Sequence, residues 1–193
     1  FLSTFKPTTV RSIMCPTPSQ PPTLWVVATP IGNLGDLSAR ARDVLSMVDV
    51  LLAEDTRKTG RFLHLCGISG PRLLSLFEHN EQARTSQVLS LLEQGRQAAL
   101  VSSAGTPLMS DPGYVVVQAC RQAGFRVSPV PGPSAPIAAL MACGLPPYPF
   151  AFLGFLPRKS GEKRRLFQQY APLQVTLVFF ERLSRLEATL KDG

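Results

Sequence analysis

The sequence predicts a doubly wound α/β fold in which a parallel sheet carries ligand-binding loops at the carboxyl ends of its strands. Two observations predict it. From residue 24 onward, short apolar runs alternate with amphipathic stretches of helical spacing, the pattern of βαβ units. Several of those runs end in small or turn-forming residues just before a helix begins. Such ends leave backbone N–H groups free where open α/β sheets bind ligands. The fullest example is Val101-Ser102-Ser103-Ala104-Gly105-Thr106-Pro107, which follows Ala98-Ala99-Leu100 and breaks again at Asp111-Pro112-Gly113.

Residues 1–23 stand apart. They are rich in Pro, Ser and Thr, carry Lys6 and Arg11 and hold no acidic residue, so they read as a disordered tail outside the fold. They lack the long apolar core of a secretory signal. Residues 24–28 form the first strand, which leads into Thr29-Pro30-Ile31-Gly32-Asn33-Leu34-Gly35-Asp36. Helix 38–47 follows from Ala41, Val44, Leu45 and Val48 on one face. Strand 50–53 delivers Glu54-Asp55-Thr56-Arg57, and helix 59–65 is stopped by Gly67. Strand 73–77 ends in Glu78-His79-Asn80, and helix 81–93 turns Val88, Leu89, Leu91 and Leu92 inward before Gly95. After strand 98–101, helix 112–123 is expected to start with Asp111 as its N-cap and Pro112 at its first position.

Strand 126–130 runs into the hinge Pro131-Gly132-Pro133-Ser134, and helix 134–143 ends at Gly144. A second section follows: strand 150–154, a basic loop at 157–165, helix 163–170, strand 175–180 and helix 182–190. The expected organisation is an N-terminal α/β domain at 24–131 and a C-terminal α/β domain at 132–193. The latter is too short to stand alone and reads as truncated.

Composition narrows the function. Hydrophobic residues make up 45% and charged ones 17%, which suits a packed core. The net charge of +7 points to a polyanionic partner. No apolar run approaches the ~20 residues of a membrane span. Cys15, Cys66, Cys120 and Cys143 are far apart with no C-x-x-C pair, which argues against a zinc site or disulfide framework and fits a reducing, cytoplasmic setting. His64 and His79 lie in unrelated contexts, so no metal is expected. The dinucleotide glycine fingerprint, the Walker lysine loop and the nucleophile elbow of serine hydrolases are all missing.

What remains is a set of strand-end loops at 29–35, 54–57, 78–80, 102–107 and 132–134 that can converge on one crevice. Their motifs are T-P-I-G-N-L-G-D-L-S at 29–38, A-E-D-T-R-K-T-G at 53–60 and E-H-N-E at 78–81, then A-G-T-P-L-M-S-D-P-G-Y at 104–114, P-V-P-G-P-S-A at 129–135 and G-F-L-P-R-K at 154–159. In this set and order the chain resembles the tetrapyrrole-methylase-like superfamily of S-adenosylmethionine (SAM) methyltransferases. Within it the chain resembles the bacterial enzymes that methylate a cytidine ribose 2′-hydroxyl of small-subunit ribosomal RNA.

The resemblance implies a parallel-sheet N-terminal domain, a second α/β domain, and a homodimer that acts on small-subunit ribosomal RNA or the assembled subunit. It implies a SAM crevice lined by Pro30, Gly32, Ser103, Ala104, Gly105, Thr106, Pro133 and Ser134. A hydroxyl acceptor also wants a proton sink, for which Glu54, Asp55 and His79 are the candidates, with Asp111 behind them. Arg158, Lys159, Lys163, Arg164 and Arg165 are the expected phosphate contacts. The chain departs from the family pattern at Ser103, where an Asp is usual before A-G-T-P, at Met109, and at Phe180-Glu181-Arg182-Leu183, where F-E-S-P-H-R is usual. Two other readings are a small-molecule, tetrapyrrole-type methylase on the same fold and a non-catalytic RNA-binding homologue.

Overall fold

The computed structural model describes residues 21–193. The expected tail therefore lies outside the described residues, except at its last positions, where Thr23 already belongs to the first strand. In chain order the elements are β1 (Thr23–Val27), α1 (Ala39–Met47), β2 (Val50–Ala53), α2 (Thr56–Leu65), β3 (Arg72–Ser75), α3 (Glu81–Glu93), β4 (Ala98–Val101), α4 (Tyr114–Gln122) and β5 (Arg126–Val130). They continue as α5 (Ala135–Ala142), β6 (Phe150–Phe155), α6 (Ser160–Tyr170), β7 (Thr176–Phe180) and α7 (Leu183–Asp192).

The first five strands form one parallel sheet in the order β3-β2-β4-β1-β5, as the alternating pattern predicts. Side chains alternate across it. Trp25, Val27, Leu51, Ala53, Ala99 and Val101 face a core shared with α1 and α2. Leu24, Val50, Leu52, Ala98 and Leu100 face the opposite core, under α3 and α4. Central strands covered on both faces must be apolar at every position, which is why β2 and β4 read as unbroken apolar runs. Each fully buried leucine there stabilises the fold by roughly 1.5–3 kcal/mol. β6 and β7 pair in parallel as a second, two-stranded sheet, with Phe152 and Phe180 edge-on at 5.0 Å.

Several expectations are corrected. Helix α4 starts at Tyr114, and its N-cap is Gly113 rather than Asp111. Leu108, Ser110 and Gly113 all have positive φ (72°, 70° and 126°), so the chain turns repeatedly through this stretch and Asp111 is held outside the helix. The cap comes from elsewhere: a carboxylate oxygen of Glu81, at the start of α3, accepts from the Gly113 and Val115 N–H groups at 2.8 and 3.2 Å. Glu81→Ala should lower stability by about 1 kcal/mol, the usual worth of a cap, as read by thermal melting. Helix α2 starts three residues earlier than expected, because Asp55 caps it through the Arg57 and Lys58 N–H groups.

The basic run 157–165 is not all loop, since α6 begins at Ser160. Helical spacing then turns Lys163 inward, where it is only 5% exposed. Its ammonium donates to Asp192 at 2.8 Å and to Thr189 at 3.0 Å. The expected contact between Lys163 and phosphate is therefore corrected: a buried ammonium already paired cannot reach a solvent-side anion. Hydrogen bonds from Lys163 and then Ser160 hold the Asp192 carboxyl down at about 2, below its ordinary 3.8. A carboxyl held low in the folded state adds stability above its ordinary value and loses it as pH falls through the lowered one. Acid melting of the chain beside Asp192→Asn should thus converge as pH falls from about 4 towards 2.

Candidate active site: a crevice at the strand ends

The carboxyl ends of β1 and β4 are tied together. Thr29 and Gly105 exchange backbone hydrogen bonds of 2.9 and 3.0 Å, and the Thr29 hydroxyl donates to the Ser102 carbonyl at 3.4 Å. The Ser102 hydroxyl donates back to the carbonyls of Ala104 and Gly105, both at 3.1 Å, which curls the loop on itself. The third loop joins through the Thr106 hydroxyl, which donates to the Pro133 carbonyl at 3.0 Å. Gly105 is required where these loops meet. Its φ is +80°, and a Cβ there would stand 3.1 Å from Ile31 Cγ2.

The result is a row of adjoining cavities. One of about 230 Å³ is lined by Ser103–Thr106 on one side, Ser134 on another, and Phe155 and Phe180 from the second sheet. On the other side of the Ser103-Ala104 turn, Pro30 and Gly32 line a cavity of about 340 Å³. Pro133 contributes its carbonyl as the acceptor for Thr106. A larger cavity of about 640 Å³ is lined by Glu54, His79 and Asp111, and it meets the first at Ser110 and Asp111. His79 stacks on Phe77, with ring centroids 5.5 Å apart and planes 7° from parallel.

The carboxylates differ in chemistry. Asp55 is committed to capping α2; the bond from the Lys58 N–H, more than that from the Arg57 N–H, holds its carboxyl below the ordinary range, which makes it a poorer base. Asp111 is the opposite case. Burial first, and the nearby Glu54 charge second, push its carboxyl above the ordinary value. Glu54 is exposed and accepts from the Ser103 hydroxyl at 3.5 Å. The sequence hides the role of Asp111, because Asp-Pro-Gly imitates a helix cap. The contribution of Phe155 and Phe180 had no signal, because it depends on how the second sheet docks.

None of the expected basic contacts lines these cavities. Arg158 and Arg165 are exposed. Lys159 pairs with Glu162 at 3.4 Å, and Arg164 pairs with Asp192 at 3.2 Å.

Residues 23–192 match the tetrapyrrole (corrin/porphyrin) methylases. Proteins named ribosomal RNA small subunit methyltransferase I are similar to the chain at high identity. That of Xylella fastidiosa is 51% identical over 174 residues, covering 90% of this chain and 63% of that protein. That of Escherichia coli O157:H7 is 49% identical over 169 residues, covering 88% and 59%. The chain thus spans about 60% of the length of the curated relatives it matches. Among solved structures, uroporphyrin-III-C-methyltransferase from Thermus thermophilus superposes with a TM-score of 0.55 at 26% identity, covering 76% of this chain and 73% of that one. Diphthine synthase, at 13% identity and a TM-score of 0.63 over 83% of this chain and 64% of that one, shares the fold. With its parallel sheet, its strand-end crevice and a match over nearly all described residues, the chain belongs to the tetrapyrrole methylase family.

Proposed function

We propose that this chain carries the catalytic crevice of a SAM-dependent methyltransferase whose acceptor is a ribose 2′-hydroxyl of a cytidine in small-subunit ribosomal RNA. The observation that carries the reading is the pair of cavities meeting at Ser110 and Asp111. A methyl donor and a methyl acceptor held in adjoining spaces can be aligned for in-line transfer, and alignment alone supplies roughly 7–11 kcal/mol of the barrier. The relatives' name supports the ribosomal RNA.

The residues present fit SAM. The rings of Phe155 and Phe180, centroids 5.3 Å apart, offer apolar faces for adenine, and the small residues at 103–106 and Ser134 let backbone groups approach ribose and the amino-acid end. When bound, SAM supplies an electrophilic methyl group. The chain's own residues position the acceptor and hold its proton. Asp111 borders both cavities and, with its raised carboxyl, is the proton acceptor; burial and, second to it, the Glu54 charge raise that proton affinity, and His79 with Phe77 walls the acceptor side. Arg158 and Arg165 remain open to phosphate. A second copy of the chain belongs to this reading too, since α5 exposes Met141 at 83% and the segment after it exposes Tyr148 at 80%. No helix among the described residues is long and apolar enough to cross a membrane.

Calorimetric titration of SAM tests the cofactor. SAM should bind the chain as it stands, because the loop meets its ligand through backbone. Ser103→Asp should alter affinity by no more than about tenfold, or ~1.4 kcal/mol. No binding heat from either protein would sink the reading.

A further inference from the structure

The cations expected to hold RNA are mostly occupied. Lys163 is buried against Asp192, Arg164 shares that carboxylate, and Lys159 faces Glu162. Helix α2 is different. Arg57, Lys58 and Arg61 are exposed on it. Arg57 and Arg61 form no ion pair among the described residues, and Lys58 reaches only Asp55, at a long 3.9 Å with its side chain 75% exposed. Positions 57 and 61 are one helical turn apart, about 6 Å along the axis. They make a stripe of positive charge rather than scattered cations.

The stripe starts at the site. Arg57 and Lys58 line a cavity of about 390 Å³ together with Glu54, Phe77 and Ser103, so its first cations share a wall with the proposed reaction centre. Phe77 shares that cavity and stacks on His79, and the residue is 37% exposed. Cations beside an exposed aromatic ring are how single strands are held: phosphates lie along the charge and a base stacks on the ring. The N-terminus of α2 is not itself the anion site, because the Asp55 carboxylate already occupies the Arg57 and Lys58 N–H groups. The side chains must carry the contact. Glu54 borders both this cavity and the one that holds Asp111, and the two carboxylates disfavour phosphate on the Asp111 side and leave that space to an uncharged ribose.

Resting on the RNA reading above, we propose that the exposed face of α2, through Arg57, Lys58 and Arg61, is the phosphate track that seats the RNA strand beside the acceptor nucleotide. It carries a larger share of the electrostatic footprint than Arg158 and Arg165.

The test measures binding of purified small-subunit ribosomal RNA between 50 and 200 mM salt for the parent chain, an Arg57→Gln/Arg61→Gln variant and an Arg158→Gln/Arg165→Gln variant. Melting and SAM titration confirm that each is folded and holds its cofactor. With about 0.7 counterions released per phosphate contact to a single strand, the α2 variant should show a log–log salt slope shallower by about 1.4, and the α6-side variant a smaller change. An unchanged slope in the α2 variant, or an equal or greater change in the other, would overturn the proposal. A parent chain that binds SAM but not the RNA would instead overturn the RNA reading, and this inference with it.

Discussion

Valine in place of Gly113 is expected to destabilise the fold by about 4 kcal/mol, combining strain at a forbidden φ of roughly 1–3 kcal/mol with overpacking of similar size. Gly113 sits at φ +126°, a conformation that a β-branched residue does not adopt without strain. A Cβ there would stand 2.5 Å from Leu100 Cδ2 and 3.0 Å from Leu108 Cδ2. Leu100 is a central β4 residue, 1% exposed, packed among the side chains under α3 and α4, so it has nowhere to retreat. The same change also misdirects the Gly113 N–H that Glu81 holds at 2.8 Å, which loosens the junction of α3 and α4. Thermal melting should show a midpoint lower by about 8–16 °C, at 2–4 °C per kcal/mol for a chain of this size. A midpoint within a degree or two of the parent would mean that the turn before α4 is free to rearrange.

That turn also shows where sequence reading stops. The sheet was legible because chemistry at each position was local: β2 and β4 are buried on both faces, and their apolar runs say so. The loops of the crevice were legible because small residues and prolines mark them. The start of α4 was not, since its cap comes from Glu81, 32 residues earlier in the chain, while Asp111 beside Pro112 offers a persuasive local decoy. Lys163 is a second case of the same kind. A cation in a basic run looks solvated until the helix turns it towards Thr189 and Asp192, which lie 26 and 29 positions later. Asp111 next to Glu54 is a tertiary pairing as well, and the raised carboxyl that distinguishes it from Asp55 comes from burial and from the end of β2 sharing a cavity with the turn before α4.

Asp111→Asn should lower turnover by about 10²–10⁴-fold, the usual worth of a positioned base, while SAM binding persists. Asparagine keeps the shape at the junction of the two cavities and removes only the capacity to take a proton. The pH profile separates this role from a structural one. Asp111 must be ionised to act, so turnover in the parent chain should rise with pH through its raised value, above the ordinary 3.8. Glu54→Gln removes the neighbouring charge that contributes to the rise, so the acid limb of the profile should move to lower pH; burial, the larger cause, keeps it above the ordinary value. Stability runs the other way. A carboxyl raised in the folded state favours folding while protonated, a contribution present below the ordinary value and lost as pH rises through the raised one. Above its raised value the ionised, partly buried Asp111 therefore opposes folding, and there Asp111→Asn should melt no lower than the parent while turning over far less. Loss of stability with activity retained would make Asp111 a structural residue and return the proton to Glu54.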